Sequence, residues 1–455
     1  MRKREIWLVD ATTYFRILPF ELQKIRDRYF RIESFARNRR FKSHPSRGVR
    51  TFSAGILQIS SILLAAGYKV RYIPLDRFEE TLIYTPRKEG PFCIGFGAVT
   101  PTVPICARLA KLAHHKFPTT RLILGGPHAM SAPKLTGYRY PIFNDIVTTR
   151  DESAATSLVS SKIVQLDAVR HAYELLPFPL NEYGLNLMTA VGCPFSCDYC
   201  QDRLIPRRTL SLDGGLKNIQ SYLDAGKPIH FCDSVLGGTY HRALRVCSEL
   251  EALEHGFLLS CDLRIEMITG RLITALERAG FVEIRVGLES ADDSVLNRMN
   301  RAFLLDKLIH SLTTVRENSS LYISMYLVTG LPGANEATTD KNISTLGLLH
   351  KKDLVDQIKH HIYVPYPSDN CPNGDPRIKL RTEDWFEFDR NSHPVFELPF
   401  MSSVKLWETF IVIEKEINSL WLSSLGLTEN LVSAFNQYDD YNTRVYMLQS
   451  GTNQV

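Results

Sequence analysis

The sequence predicts an α/β chain: a doubly wound parallel sheet, then a partial barrel of six strand–helix steps, then a small, mostly helical C-terminal region. Three observations carry this. Apolar strand patterns alternate with amphipathic helix patterns over residues 52–158, and a second such series runs through 187–367. The second series advances by one βα step about every 30 residues, the length of a strand, a helix and their loops. Hydrophobic residues make up 44% and charged residues 23% of 455, enough apolar surface for two or three domains and too much for a disordered chain. The divisions expected are a basic arm over 1–50, the Rossmann-like sheet over 51–158, a linker over 159–186, the partial (β/α)6 barrel over 187–367 and the C-terminal region over 368–455.

Charge and cysteine usage narrow the setting. The 54 Lys and Arg against 49 Asp and Glu leave a net charge of +5, too small a surplus to imply nucleic acid as a partner. No stretch approaches 18 uninterrupted apolar residues, so no membrane span is expected. The apolar start is cut at Asp10 and followed by Arg16, which does not read as a signal peptide. Nine cysteines, an odd number, point to a reducing, cytoplasmic setting and to metal or redox use of some thiols. Between Lys24 and Arg50 ten basic residues face two acids. That run reads as a solvated arm, with contact to a phosphate-bearing cofactor or acidic substrate as the alternative.

In the first unit, AGILQISSILLAAG is a helix stopped by Gly67, YKVRYIPLD and PFCIGFGAV are strands, and PICARLAKLAHHKFP is a helix stopped by Pro118. RLILGGPHAM and DIVTTR complete the strands. Ligands of such sheets bind beyond the carboxyl ends of the strands. The loops there, Gly97–Thr102 and Gly125–Met130, are rich in small residues that let backbone approach a ligand. No GxGxxG is present, so a nicotinamide reading has no fingerprint.

The second unit begins with LMTAV as a strand. The helix LDGGLKNIQSYLDAG and the strand PIHFCDS come next, then the HRALRVCSELEALEHG helix and the FLLSCDLR strand. TGRLITALERAG and Ser294–Asn318 read as helices around the strand FVEIRVGLES, and LYISMYLVTGLPG and QIKHHIYVPYP as strands around EATTDKNISTLGLLHKK. The final helix is VKLWETFIVIEKEINSLWL. Barrel chemistry sits at the carboxyl ends of the strands.

The strongest signal is Cys193-Pro-Phe-Ser-Cys197-Asp-Tyr-Cys200, directly after the first strand of the second unit. Three thiolates within eight residues can converge on an iron–sulfur cluster or on zinc. Zinc completed by a distant His or Cys is one alternative, and three buried thiols another. No fourth Cys is close in sequence, so a cubane would keep one iron open to a substrate or cofactor. Cys93, Cys106, Cys232, Cys247 and Cys261 lie on apolar segments and read as core, and Cys371 as a loop thiol.

This triad resembles that of the radical SAM enzymes, and the resemblance covers about 187–367. It implies a 4Fe-4S cluster on Cys193, Cys197 and Cys200, with S-adenosylmethionine chelated to the open iron and cleaved to a 5′-deoxyadenosyl radical. Arg264, Glu289, Ser290, Gly330 and Gly333 stand where family members contact the nucleotide. Asp233-Ser234 stands where the family has the Gly-Gly-Glu that takes the methionine amine, and Asp233 is counted among the cofactor-binding candidates with that amine left unassigned.

The sheet ahead of this core resembles the cobalamin-binding domain of the cobalamin-dependent radical SAM subfamily. The resemblance implies a cobalamin tail along the strand ends, with Thr100, Thr102, Gly125 and Gly126 beside it and His128 within reach. The Asp-x-His-x-x-Gly segment that supplies an axial His is absent, and Arg150-Asp151-Glu152-Ser153 replaces the usual Gly-Glu-Gly-Glu. The function implied is methyl transfer from methylcobalamin to an unactivated centre of a small-molecule substrate, with a flavodoxin or ferredoxin-type reductant. The alternatives are a radical cyclase, oxidoreductase or rearranging enzyme with cobalamin as electron carrier, and a non-catalytic electron-transfer protein. Tyr363 and Tyr366 read as substrate-lining or core residues.

Overall fold

The heptapeptide EIWLVDA sends alternate side chains to opposite faces, and all but the first are buried, so it needs cover on both sides. In the computed structural model, which describes residues 4–12, 52–149, 156–159, 172–177, 179, 184–212, 216, 228–301, 305–369, 376–389 and 393–422, this segment is a strand. It is β1 (Glu5–Ala11), followed by α1 (Ala54–Ala65), β2 (Lys69–Pro74), α2 (Leu75–Tyr84), β3 (Cys93–Ala98), α3 (Val103–Lys116), β4 (Arg121–Gly125), α4 (Pro127–Ser131), α5 (Pro133–Arg139) and β5 (Asp145–Ile146). The strands are parallel in the order β2-β1-β3-β4-β5. The expected arm over 1–50 is therefore corrected at its start, because β1 pairs with a strand on each side. A short apolar run is ambiguous alone, and here its two neighbours decide. The basic run Lys24–Arg50, Arg150–Ser153 and Cys371 lie outside the described residues.

The chain runs from β1 to one edge at β2 and then returns to the other side of β1 as β3. That reversal is a topological switch point, and it opens a crevice at the carboxyl ends of β1 and β3. Gly126, just past β4, has φ +97°, and a Cβ there would stand 2.5 Å from Ala98 O and 2.6 Å from Ala98 N. This glycine is required by the approach of two backbones, whatever binds in the crevice.

The second unit holds β6 (Leu185–Leu187), β7 (Ala190–Val191), β8 (Arg208–Thr209), β9 (Pro228–Phe231), α6 (Tyr240–Glu251), β10 (Leu258–Leu263), α7 (Gly270–Arg278) and β11 (Phe281–Glu289). It continues with α8 (Asp293–Arg298), α9 (Leu305–Asn318), β12 (Tyr322–Thr329), α10 (Glu336–Lys351) and β13 (Gln357–Ile362). Six parallel strands in the order β13-β12-β11-β10-β9-β6 form the partial barrel, each strand next to its neighbour in sequence. Two expectations are corrected. LMTAV is not one strand, because Leu185–Leu187 joins the sheet while Ala190–Val191 pairs antiparallel with Arg208–Thr209. Ser294–Asn318 contains two helices, α8 and α9. The helix expected from LDGGLKNIQSYLDAG falls mostly outside the described residues.

Beyond the barrel, β14 (Lys379–Leu380), β15 (Phe396–Glu397) and α11 (Ser403–Ile417) form the C-terminal region. Among the described residues no helix is long and apolar enough to cross a membrane. The two units share their cores. Ile6 and Leu8 of β1 belong to an apolar cluster that continues through the barrel helices, while Trp7, Val9 and Ala11 belong to another that reaches Trp385, Phe396 and Trp407. A strap after β13 ties them further. The Asp369 carboxylate accepts from Lys134 N at 2.9 Å and Leu135 N at 3.1 Å, capping α5, and Asp369 N donates to Ser131 O at 3.0 Å.

Under this strap His128 is buried, its ring 4.5 Å from that of Trp385. Its Nδ1 meets Thr100 Oγ1 at 3.0 Å and its Nε2 meets Thr136 Oγ1 at 2.9 Å. Burial lowers its pKa to about 4, with Asp369 opposing. The depressed value means that the unfolded chain takes up the proton first, so stability is complete above about pH 6.5 and drains away as pH falls toward 4. Thermal melts should show the neutral-pH advantage of the wild type over His128→Gln shrinking by roughly 3 kcal/mol between pH 7 and 4. Gly126→Ala should lower stability by at least ~2 kcal/mol in the same assay, since left-handed backbone and a backbone clash coincide.

Candidate cluster and cofactor site

The site is built on the loop between β7 and β8. Its entry is held by Asp233, which is buried. One carboxylate oxygen accepts from Thr189 N at 2.7 Å and Ala190 N at 3.0 Å. The other accepts from Gly237 N at 2.8 Å and from the Thr189 hydroxyl. Burial raises the Asp233 carboxyl, and these four bonds oppose the rise. Both oxygens thus accept from backbone N–H groups of the segment that leads into the cysteine loop and of the turn after β9. Gly192 follows with φ +75°, and a Cβ there would lie 2.5 Å from Ile205 O, so the turn into Cys193 needs glycine.

The loop is pinned from the other side by the segment after α8. Asp198 N donates to Met299 O at 3.0 Å, and Asn300 Nδ2 donates to Ser196 Oγ at 2.7 Å and to Ser196 O at 3.2 Å. Cys197 is buried, and Cys193 and Cys200 are half-buried. Cys193 feels the charge of Cys197, and Cys200 feels that of both Cys193 and Cys197. Burial raises the Cys193 thiol, and it takes Cys200 up to about 12 with Asp202 adding to it. Burial thus favours the protonated thiol at Cys193 and Cys200, and a bound cationic centre favours the thiolate. Among the described residues no three His, Cys, Asp or Glu side chains converge on one ion. A cubane suits that spacing, because each thiolate takes its own iron. The donor set fits a 4Fe-4S cluster.

Two arginines face this loop. Arg264 Nη1 donates to Cys197 Sγ at 3.0 Å, while Nε and Nη2 donate to Glu266 at 3.2 and 2.6 Å. Burial would raise the Glu266 carboxyl, but Arg264 outweighs it and holds Glu266 below the usual range. Arg301, which sequence reasoning missed, is buried, lies 3.8 Å from Glu289 and donates from Nη2 to Gly287 O at 2.7 Å. Glu289 has φ +64°, strained for a residue with a side chain, where the pairing of β11 with β12 slips register. Burial raises its carboxyl, while Arg301 and the Tyr199 hydroxyl oppose this. Gly287 makes the arrangement possible, because a Cβ would stand 2.2 Å from Glu289 Oε1 and 2.6 Å from Arg301 Nη2. The signal for this was a glycine inside an apolar strand.

The remaining candidates are placed elsewhere. Ser290 and Gly330 line a narrow cavity with Val295, Asn335 and Asn342. Gly330 and Gly333 have φ +86° and +94°, and their nearest side-chain neighbours are Phe396 and Arg298. At the switch point the residues expected beside cobalamin already have partners within the chain. Thr100 is spent on His128, and Thr102 closes on Val99, accepting from its N–H at 3.1 Å and donating to its carbonyl at 3.0 Å. Both ring nitrogens of His128 are engaged by threonine hydroxyls. Gly126 is set by Ala98, and a Cβ at Gly125 would make only ordinary contact with Val147 at 3.6 Å. What the crevice offers a cofactor is its backbone. Tyr363 packs its ring 5.6 Å from Phe396, and His114 and His115 are exposed.

Below the loop, the concave face of the barrel is polar. His230 Nε2 lies 3.0 Å from Asp262, Arg285 Nη1 lies 3.1 Å from the same nitrogen, and Lys359 reaches Glu283 at 3.3 Å. Arg285 and His230 reach across one intervening strand to meet, as do Lys359 and Glu283. Asp233→Asn should put an amide N–H against backbone donors. The expected result is a loss of ~2–4 kcal/mol in melts and a fall in iron bound after reconstitution.

Comparison with known proteins agrees with this geometry. Residues 46–159 match the B12 binding domain and residues 187–346 match the Radical SAM superfamily. The chain is 22% identical over 321 residues to an uncharacterized methyltransferase, PH0819, of Pyrococcus horikoshii, covering 62% of this chain and 68% of that one. Among solved structures it is similar to radical S-adenosylmethionine methyltransferase TsrM from Kitasatospora setae with cobalamin and [4Fe-4S] cluster bound. That match has a TM-score of 0.58 at 12% identity, over 90% of this chain and 91% of that one. It is also similar to the cobalamin-dependent S-adenosylmethionine radical enzyme OxsB, with a TM-score of 0.55 at 18% identity over 78% of this chain. The chain spans about half the length of OxsB, 53%. These two likenesses are of fold. With a B12 binding domain ahead of a radical SAM core and three cysteines at the mouth of its barrel, the chain belongs to the cobalamin-dependent radical SAM enzymes, whose cofactors are cobalamin, a 4Fe-4S cluster and S-adenosylmethionine.

Proposed function

We propose that this enzyme is a methyltransferase acting on an unactivated centre of a small polar molecule. The observation that carries the reading is the sharing of apolar cores between the B12 binding domain and the barrel, which holds the switch-point crevice and the cysteine loop in one packed body. The fold-level similarity to TsrM and the relative named as a methyltransferase support methyl transfer. When bound, the cofactors supply the electron, the hydrogen-abstracting radical and the methyl group.

The chain's own residues bind, orient and exclude water. Cys193, Cys197 and Cys200 ligate iron, and Glu289, Ser290 and the Gly330–Gly333 turn are assigned to the nucleotide. Arg301 holds Glu289 in its strained backbone, and Tyr199 donates to the same carboxylate. The charged barrel wall, with Asp262 a quarter exposed beside His230, suits an ionised or hydrogen-bonding substrate better than an apolar one. A flavodoxin or ferredoxin-type protein is the proposed electron donor, and the cytoplasm the proposed setting.

Anaerobic reconstitution with iron, sulfide and hydroxocobalamin, followed by reduction with S-adenosylmethionine, tests this. The expected products are 5′-deoxyadenosine and S-adenosylhomocysteine from the wild type, and neither above background from Cys197→Ala. 5′-Deoxyadenosine without S-adenosylhomocysteine would assign a non-methylating radical enzyme. Neither product from iron-replete protein would reject radical chemistry.

A further inference from the structure

One cation lies directly against a cluster cysteine. Arg264 follows β10 and is buried, with 7% of its surface exposed. Three contacts leave its guanidinium one orientation. Nη1 points at Cys197 Sγ at 3.0 Å, Glu266 takes Nε and Nη2 at 3.2 and 2.6 Å, and the guanidinium carbon lies 3.9 Å from the centre of the Phe195 ring. A neutral thiol is a weak acceptor, whereas a metal-bound thiolate is a strong one, so the N–H is matched to the ligated form of Cys197.

We propose that Arg264, opposed by Glu266, sets the reduction potential of the cluster held by Cys193, Cys197 and Cys200. The inference rests on the cluster assignment above. Arg264 is a positioning residue that acts through the Cys197 sulfur. Reduction moves one electron from an external donor to the cluster. No bond is made or broken, and the centre becomes more negative by one charge. A cation and an N–H donor at a ligand sulfur favour the more negative state and raise the potential. Glu266 sits on the same guanidinium and offsets part of its charge. The two residues therefore pull the potential in opposite directions, which a purely structural role would not do.

The test uses the full chain as wild type, Arg264→Met and Glu266→Gln, each reconstituted anaerobically and its iron counted. Each is then titrated with titanium(III) citrate while the paramagnetic signal of the reduced cluster is followed. Arg264→Met should shift the midpoint to more negative potential and Glu266→Gln to more positive potential. Unmoved midpoints at equal iron content, or shifts of the same sign, would overturn the inference. If Arg264→Met loses its iron, the sign of the Glu266→Gln shift decides alone. A wild type that takes up no cluster removes the cluster assignment itself, an outcome distinct from midpoints that do not move.

Discussion

A buried carboxylate answered by backbone N–H groups is the constraint on which the site depends. Asp233 takes three of them and one hydroxyl, and between them these bonds join the end of β9 to the segment that leads into Cys193. Leaving such donors without a partner would cost ~1–3 kcal/mol each. The bracket is therefore a strong local reason for the chain to turn where it does. The cysteines inherit their placement from this turn and from Asn300 on the opposite side.

Around that loop, charge is arranged in matched pairs. Arg264 with Glu266 and Arg301 with Glu289 each place a cation and a carboxylate in a largely buried setting. An unpaired member of either pair would be strongly destabilising. The geometry also explains why β11 tolerates a strained Glu289. Arg301 reaches both this carboxylate and the carbonyl of Gly287, and Gly287 has no side chain to intervene.

The two units act as one body because β1 feeds both cores. Its even and odd residues enter different apolar clusters, and each cluster extends into the barrel or the C-terminal region. The Asp369 cap and the Trp385 stack over His128 add polar and aromatic ties at the rim. The central strand at the switch point cannot move without disturbing the barrel's packing.

The cysteine triad, the six-step barrel and the sheet ahead of it were legible in the sequence, though not the helices Leu75–Tyr84 and Pro127–Ser131. Thiol spacing and hydrophobic period are local properties, and the chemistry of an open cluster follows from counting ligands. Arg301, Glu266 and Gly287 were not legible as site residues, and neither was the strand role of Glu5–Ala11. Arg301, Gly287 and Glu5–Ala11 owe their roles to partners far away in the chain or to the pairing of strands, and Glu266, two residues from Arg264, joins the site only because Arg264 reaches the distant Cys197. The hydroxyls of Thr100 and Thr102, the ring of His128 and the carboxylate of Asp233 looked available because their types suit ligands. Only the tertiary structure shows them already bonded, since a polar side chain that is buried must be satisfied by whatever the fold brings within reach.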